Sequence, residues 1–390
     1  MTKLFFNIVL AFQFFPWLSF RMFEGDTQPW PLLLSLIASL FFIKNKVDKA
    51  AVMVLCAFIF SFCLAIVYCR FDVLTIRAIF GYLTLFSVYY FYLEYKKRYD
   101  AKAIIIATNI IWIVAGLIQV LVDPYVFDFL VHTRTSEARG VTGLAPEPTF
   151  YGIFLYFMCW LIYVETNFYS KDKLCRMYTL LTILNVAFIV FVAKSSMVVV
   201  FLFLTFVFLL IRNLSARLVA CSVLFCLLTI PMLNVVWSSL GLEDARMFKL
   251  ASRVFDGGLF LLIRDASINS RISHVYLSFY EFVTSGMLPH GYHSFGGKLE
   301  ELLANSDVFY WGKHTDKIMS WLGGVLFELG FWGLIIVAWI SYSMMGTAIS
   351  YRKILDVSLF LLVLTSAIPL AFPLVPLILA SARYQYIYKV

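Results

Sequence analysis

The residues that could do chemistry lie in two polar stretches of an otherwise apolar chain. The first stretch, about residues 123 to 148, ends with Arg134, Arg139 and Glu147. Pro148 follows the glutamate and suits the first position of a helix, so Glu147 is expected at a helix N-terminus. Two roles stay open for its carboxylate, because it can complement the helix dipole or act as a base beside the guanidinium groups.

The second stretch, about residues 241 to 319, combines cations, imidazoles and a glycine-rich turn. Glycine removes side-chain bulk, so a sugar or a phosphate could approach this turn closely; the alternative is a loop with exposed histidines. No carboxylate or cysteine completes a metal-ligand set at a recognisable spacing, so no metal or other cofactor is predicted. The candidate catalytic residues here are Arg271 and His274. The candidate substrate contacts are Gly291, Tyr292, His293 and His314.

A third polar position, Lys194-Ser195, interrupts two apolar runs. A lysine at such a break commonly extends its ammonium group to the membrane surface. The alternative is that it adds positive charge to a phosphate site. Lys194 and Ser195 are therefore candidate substrate-binding residues.

The elements that position these residues are predicted to be membrane helices. Of the 390 residues, 62% are hydrophobic and 14% are charged, against about 45 to 50% apolar residues in a soluble domain. This excludes a soluble globular enzyme. A helix needs about 20 apolar residues to cross the bilayer core, so the composition suffices for about twelve crossings in an all-α protein. The predicted segments are at about 4–20, 30–43, 51–68, 74–93, 103–122, 149–166, 178–193, 197–211, 218–240, 320–346, 354–370 and 372–382.

Short basic clusters between the apolar segments predict the orientation. All of them fall on one side when the segments are counted, and that side is predicted to be cytoplasmic, together with both termini. They lie near residues 44–49, 96–102, 171–176, 212–217 and 352–353. This pattern explains the net charge of +8 without a nucleic-acid partner. The two long stretches then share the outer face, where their arginines and lysines predict an anionic ligand.

The chain is interpreted as one membrane domain, residues 1–390, capped on the outer face by the second stretch. Residues 272–283, with apolar side chains that include Ile272, Tyr276 and Phe279, have the spacing of an amphipathic helix lying on the membrane face. The seven cysteines show no CxxC spacing and none lies in the long stretches, so neither a disulfide framework nor a zinc site is predicted.

The first stretch resembles the O-antigen polymerase (Wzy) family, within the O-antigen polymerase and ligase superfamily of bacterial surface-polysaccharide assembly. Arg139, Gly143, Glu147 and Pro148 are similar to the R-x-x-G-x-x-x-E-P-S segment of these polymerases, with Thr149 at the serine position.

The second stretch carries the rest of the resemblance. Asn269-Ser270-Arg271, followed by Pro289-x-Gly291-Tyr292, looks like the S-G-R … P-x-G-x-G run of the large periplasmic loop in that family. Residues 320–333 look like the helix that re-enters the membrane after it, and Lys194-Ser195 occupies the place of the family's S-R pair.

The resemblance implies a metal-independent, inverting glycosyltransferase with a GT-C-like fold in the bacterial inner membrane, with its active site facing the periplasm. In lipopolysaccharide biosynthesis it would pass a growing glycan from undecaprenyl diphosphate to the non-reducing end of a lipid-linked repeat unit. A chain-length-determining co-polymerase is an implied partner. Arg139 and Arg271 would contact the diphosphate, and Glu147 would take the acceptor proton ahead of His274, His293 or His314.

Two alternatives stay open. An O-antigen ligase would transfer the glycan to the lipid A core, but Met319-Ser320 stand where the ligase branch usually has His-Asn, which favours the polymerase. A lipid-linked oligosaccharide flippase would carry ionisable groups along an intramembrane path, whereas the charges here concentrate in the outer stretches.

Overall fold

The chain folds into a bundle of α-helices. This computed structural model describes residues 2–19, 28–68, 71–135, 139–166, 173–212, 258–312, 315–346 and 349–388. No β-strand occurs in these ranges. The helices are α1 (Thr2–Gln13), α2 (Trp30–Leu40), α3 (Lys49–Val67), α4 (Val73–Lys96), α5 (Lys102–Leu121), α6 (Pro148–Thr166), α7 (Lys173–Ala187), α8 (Ser196–Arg212), α9 (Ala266–Thr284), α10 (Phe295–Asn305), α11 (Trp321–Leu329), α12 (Leu334–Met345), α13 (Tyr351–Leu364) and α14 (Leu374–Tyr388).

The protein is an all-helical membrane protein. Within the described residues, six helical segments are long and apolar enough to cross a bilayer: Lys49–Val67, Val73–Lys96, Lys102–Leu121, Pro148–Thr166, Arg176–Ala193 and Trp321–Met345. Shorter apolar helices at Lys3–Gln13, Trp30–Leu40 and Ser196–Arg212 accompany them. Apolar side chains such as Leu121 and Val67 are exposed on the outside of the bundle, as expected for surfaces that face lipid. The predicted segment at 218–240 lies outside the described residues.

Some predicted membrane segments are shorter in the structure than their run of apolar residues, or are interrupted within it. The segment predicted at 4–20 is helical only to Gln13, and Pro16, which has no N–H to donate, follows. The segment predicted at 320–346 is interrupted by a 3₁₀ turn at Gly330–Gly333, where Gly330 has a φ of +58°. A side chain at Gly330 would collide with the backbone of Leu288 and Pro289, so this glycine is required by a close approach.

One end of the bundle, the basic face, is held by ion pairs between helix ends. Lys96 Nζ, at the end of α4, lies 2.7 Å from Glu165 Oε1, at the end of α6, and both side chains are buried. Arg212 at the end of α8 pairs with Asp356 near the start of α13, and Arg383 near the end of α14 pairs with Asp48, the cap of α3. Helices α13 and α14 therefore run in opposite directions and are two separate helices.

The opposite end, the loop face, gathers the connections that carry the candidate residues. It contains the start of α6 at Pro148, the start of α8 after Lys194, the start of α11 at Trp321 and the connection between α13 and α14. Trp321 N–H donates to Ser366 O at 2.9 Å, which joins two of these connections. The grouping agrees with the predicted placement of both polar stretches on one face.

Helix α9 extends beyond the amphipathic helix predicted at residues 272–283. Its polar residues His274 and Ser278 point inward and are buried, and the Ser278 hydroxyl packs so closely on α11 that a side chain at Gly323 would overlap it. Ile272 and Tyr276 are exposed. The outward side of α9 is thus its apolar and aromatic side, as the membrane-surface interpretation requires.

Candidate functional site

The end of the first polar stretch is joined to the break between α7 and α8 by backbone contacts. Val141 N–H donates to Val192 O at 3.1 Å. A side chain at Gly140 would lie 2.2 Å from Ala193 O, so only glycine fits there. Because Arg139 and Lys194 are the chain neighbours of Gly140 and Ala193, this contact brings two cations to one place on the loop face.

Glu147 forms an ion pair with Arg134, and not with Arg139. Arg134 Nε lies 3.5 Å from Glu147 Oε1, with 45% and 31% of the side chains exposed. Arg134 N–H also donates to Pro146 O at 2.6 Å, which fixes the arginine beside the start of α6. Helix α6 begins at Pro148, which confirms that Glu147 precedes a helix. Arg139 is exposed and, among the described residues, forms no ion pair.

The break at Lys194 has an unusual backbone. A short π-helical turn, Phe188–Ala193, ends α7, and Lys194 has a φ of +49° and a ψ of +36°, in the left-handed region. Its side chain is exposed and pairs with no described carboxylate. The Ser195 hydroxyl is buried without a hydrogen-bond partner in the described part of the chain. This turn therefore holds an uncompensated cation next to an unused hydroxyl group.

The glycine-rich turn of the second polar stretch packs on the ends of α3 and α11. Gly291 N–H donates to Glu328 O at 3.1 Å, and a side chain at Gly291, whose φ is +66°, would collide with the ring of Tyr68. The Tyr292 hydroxyl hydrogen-bonds to Ser61, and its burial raises its pKa. The turn thus acts as a cap over the bundle.

His293 connects this cap to two carboxylates. Its Nε2 lies 2.7 Å from Asp72 Oδ2, and its Nδ1 lies 3.4 Å from Asp316 Oδ2. Asp72 is also the N-cap residue of α4, where it accepts the Thr75 N–H. This hydrogen bond is the main reason why the pKa of Asp72 is lowered. Both ring nitrogens of His293 are therefore engaged by carboxylates. No group of three or more His, Cys, Asp or Glu in the described residues is arranged to hold a metal ion.

A cavity of about 440 Å³ lies beneath the cap, between the start of α2, the first half of α4 and α11. Its walls mix aromatic and aliphatic side chains with a few polar groups. The polar wall residues include Arg77, Tyr292, His293, Asp316, Lys317 and Glu328. Burial lowers the pKa of Lys317. A concave site of this size, largely apolar with converging polar groups, is typical of small-molecule binding.

Sequence reasoning missed two ionisable residues of this cavity. Glu328 lies in α11, within a predicted span, and its Oε2 accepts a hydrogen bond of 2.9 Å from the Tyr82 hydroxyl. Arg77 lies one turn into α4 and, among the described residues, pairs with no carboxylate. Both interrupt apolar runs, and an ionisable residue inside a membrane segment is a signal of function in its own right.

The other candidate residues lie apart from these groups. His274 does not line the cavity; it is buried, and its Nδ1 accepts the Met319 N–H at 3.1 Å. Burial lowers its pKa to about 4, so this imidazole is neutral at pH 7 and serves to anchor α9. Arg271 is half-buried on the same helix. His314 lies outside the described residues.

An aromatic contact connects the Glu147 region with the cavity. The Trp17 ring packs on Phe150 of α6, with ring centroids 5.7 Å apart, and on Phe372, with centroids 5.6 Å apart. Ala371, the neighbour of Phe372, is part of the cavity wall. Trp17 thus contacts one residue near Glu147 and one residue next to the cavity wall.

Comparison of the chain with protein-family models, with curated proteins and with solved structures finds no significant match.

Proposed function

We propose that this protein is a glycosyltransferase of the O-antigen polymerase type. It would transfer a growing glycan from undecaprenyl diphosphate to the non-reducing end of a lipid-linked repeat unit. In this proposal the basic face is cytoplasmic, and the loop face lies at the periplasmic surface of the bacterial inner membrane. Donor and acceptor both arrive through the bilayer, which suits a protein whose helices expose apolar side chains to lipid.

The observation that carries the proposal is a set of cations on the loop face without matching carboxylates. Arg139, Lys194 and Arg77 form no ion pair among the described residues, and the exposed pair of Arg134 with Glu147 is worth at most about 1 kcal/mol. Neighbouring cations without carboxylate partners repel one another, and an anion that binds between them relieves this repulsion. A diphosphate carries the charge for this role.

These cations suit the chemistry of glycosyl transfer. When the bond between the anomeric carbon and the phosphate oxygen breaks, negative charge develops on the leaving diphosphate. Guanidinium and ammonium groups held in place beforehand stabilise that charge more in the transition state than in the ground state. Arg139 and Lys194, brought together by the contact between Gly140 and Ala193, are the strongest candidates for this role.

The proposal is tested by complementing a deletion strain with variants of the charged residues. Arg139→Ala, Lys194→Ala and Arg77→Ala are expected to abolish polymer while protein levels stay unchanged. Loss of a polymerase leaves single repeat units on the lipid A core, whereas loss of a ligase leaves no attached glycan. If all three variants make full-length polymer, the site assignment is wrong.

A second function, transport of a lipid-linked oligosaccharide, is favoured by one observation. Polar groups follow α4 through the bundle: Tyr82 contacts Glu328, Tyr89 contacts Ser343 at 3.4 Å, and Tyr92 contacts Glu165 at 3.5 Å. Ionisable residues along such a path are typical of transporters. Proteoliposomes decide between the two functions, since a transporter moves the lipid-linked unit across the bilayer without lengthening it.

A further inference from the structure

We infer that the cavity beneath the cap binds the terminal sugar of the acceptor glycan, and that Glu328 takes the proton from the attacking hydroxyl group. This inference rests on the proposed transfer reaction and assigns its base. It replaces Glu147, the residue that the sequence favours for this role.

Glu147 and Glu328 differ in the groups that surround their carboxylates. Glu147 is already bound by the Arg134 guanidinium. The carboxyl group of Glu328 has one described hydrogen-bond partner, the neutral Tyr82 hydroxyl at Oε2, and pairs with no cation of the described residues. Glu328 therefore retains the capacity to accept a hydrogen bond from a ligand hydroxyl. Glu328 is also a wall residue of the cavity beneath the cap, whereas Glu147 does not line this cavity.

The walls of the cavity combine aromatic surface with polar groups. Trp321, Phe80 and Phe327 supply aromatic surface, and Tyr292, whose hydroxyl group hydrogen-bonds to Ser61, is a polar wall residue. Flat apolar surface with a few directional polar groups is the arrangement that binds a polyhydroxylated ring. The volume of about 440 Å³ is near the lower end of the range for small-molecule sites, roughly 300 to 1,000 Å³. It suits the end of a glycan and not a whole repeat unit with its lipid.

Arg77, a cation that lines the cavity, lies nearer to the loop face than Glu328 does. Tyr82, which contacts Glu328, is five residues after Arg77 on α4, or about 7.5 Å along the helix at 1.5 Å per residue. A cation therefore lies near the loop face of the cavity wall, and a carboxylate lies deeper in the helix bundle. Arg77, one of the cations proposed to bind the donor diphosphate, also lines the cavity, so a sugar bound by Glu328 shares the cavity with a diphosphate-binding cation.

The reaction then balances without a further reactant. The acceptor oxygen forms a bond with the anomeric carbon of the donor, and the bond from that carbon to the diphosphate oxygen breaks. The electron pair of the broken bond leaves on the diphosphate, which the cations neutralise. The hydroxyl proton moves to the Glu328 carboxylate, and Tyr82 keeps that carboxylate oriented.

The test uses purified full-length protein in nanodiscs with lipid-linked repeat unit extracted from cells that lack this protein. Glu328→Gln keeps the size of the side chain and its contact with Tyr82 but cannot take a proton. We expect its rate of chain growth to fall about 100-fold or more, with binding of the lipid-linked unit retained. Glu301→Gln on α10 is the matched control, since Glu301 is exposed and lies off the cavity, and it is expected to keep the full rate.

Two further variants separate chemistry from folding. Glu328→Asp, which shortens the base, should be partly active, and Tyr82→Phe should lower the rate less than Glu328→Gln does.

The rate of the unchanged protein should fall at acidic pH, and this acid limb should be absent from the residual activity of Glu328→Gln. The ionisable groups nearest to Glu328 are the phenols of Tyr82 and Tyr292, and the other charged wall residues are Arg77, His293, Asp316 and Lys317.

Each outcome is decisive. If the unchanged protein lengthens the glycan and Glu328→Gln does so at the same rate, Glu328 is not the base and the proposed function stands. If Glu328→Gln no longer binds the lipid-linked unit, the residue serves binding and the assigned proton transfer is refuted. If the unchanged protein makes no polymer, the proposed function fails, and the inference fails with it.

Discussion

Acidification is predicted to loosen the packing of α9 through protonation of His274. The imidazole is buried against Phe295, with ring centroids 5.0 Å apart, and its Nδ1 accepts the Met319 N–H. Its Nε2 is buried without a partner in the described residues. A proton on Nδ1 would remove the acceptor and leave a buried charge. The protonated form of His274 is therefore unfavourable in the folded protein.

The size of the effect follows from the two pKa values. Burial lowers the pKa of His274 to about 4 in the folded protein, against 6.5 for an exposed histidine. Because the folded-state value is the lower one, the unfolded form binds more protons between these pH values, and stability falls as the pH falls. The stabilisation is fully present above pH 6.5 and is lost towards pH 4. The total is about 3 kcal/mol, of which about 2 kcal/mol is lost at pH 5.

Hydrogen exchange measured by mass spectrometry tests this prediction locally. Between pH 7.5 and pH 5, after correction for intrinsic rates, opening of α9 should become about 30-fold more frequent. His274→Gln, whose amide oxygen can still accept the Met319 N–H, should lack this pH dependence. His132→Gln, which alters an exposed histidine, is the control. Equal protection of α9 at both pH values in the unchanged protein would refute the reasoning.

Three further substitutions give predictions at other positions. Glu147→Gln breaks an exposed ion pair and should change stability by less than about 1 kcal/mol, so a large change in melting temperature would contradict the exposed geometry. Gly140→Val places a side chain against Ala193 O and should separate the first-loop cations from Lys194, with loss of activity in complemented cells; full activity would show that this contact is dispensable. Glu165→Gln leaves the Lys96 ammonium buried without its counter-charge, and a destabilisation of about 3 to 5 kcal/mol should be visible as lost protein in membranes; normal levels would mean that the pair is not buried in the folded protein.

The sequence was sufficient for the helical architecture and for the face that carries the polar residues. Of about twelve predicted crossings, six helical segments in the described residues are long and apolar enough to cross a bilayer. Apolar runs of the right length mark membrane helices without reference to tertiary contacts, and Pro148 marks the start of α6 correctly. The break at Lys194 was also predicted from an interruption of apolar residues. Helix ends were less predictable, since Gln13 ends α1 although apolar residues continue to Phe20.

The composition of the site could not be read from spacing alone. Glu147 pairs with Arg134, thirteen residues away in sequence, because the Arg134 N–H donates to Pro146 O and so holds the arginine beside the start of α6. His274 is an anchor, because α9 turns its polar side toward α11. The cavity is built from α2, α4, α11 and the cap, which are distant in sequence. Glu328 was detectable in principle as an acidic residue in an apolar helix.

The measurement that tests the central claim most directly is a reaction with purified protein. The protein is incubated with lipid-linked repeat unit extracted from cells that lack it, and the products are separated by length. The account predicts a ladder of products that grow by one repeat unit per step and remain attached to the lipid diphosphate. If the repeat unit stays unchanged, or crosses a vesicle membrane without growing, the protein is not a polymerase.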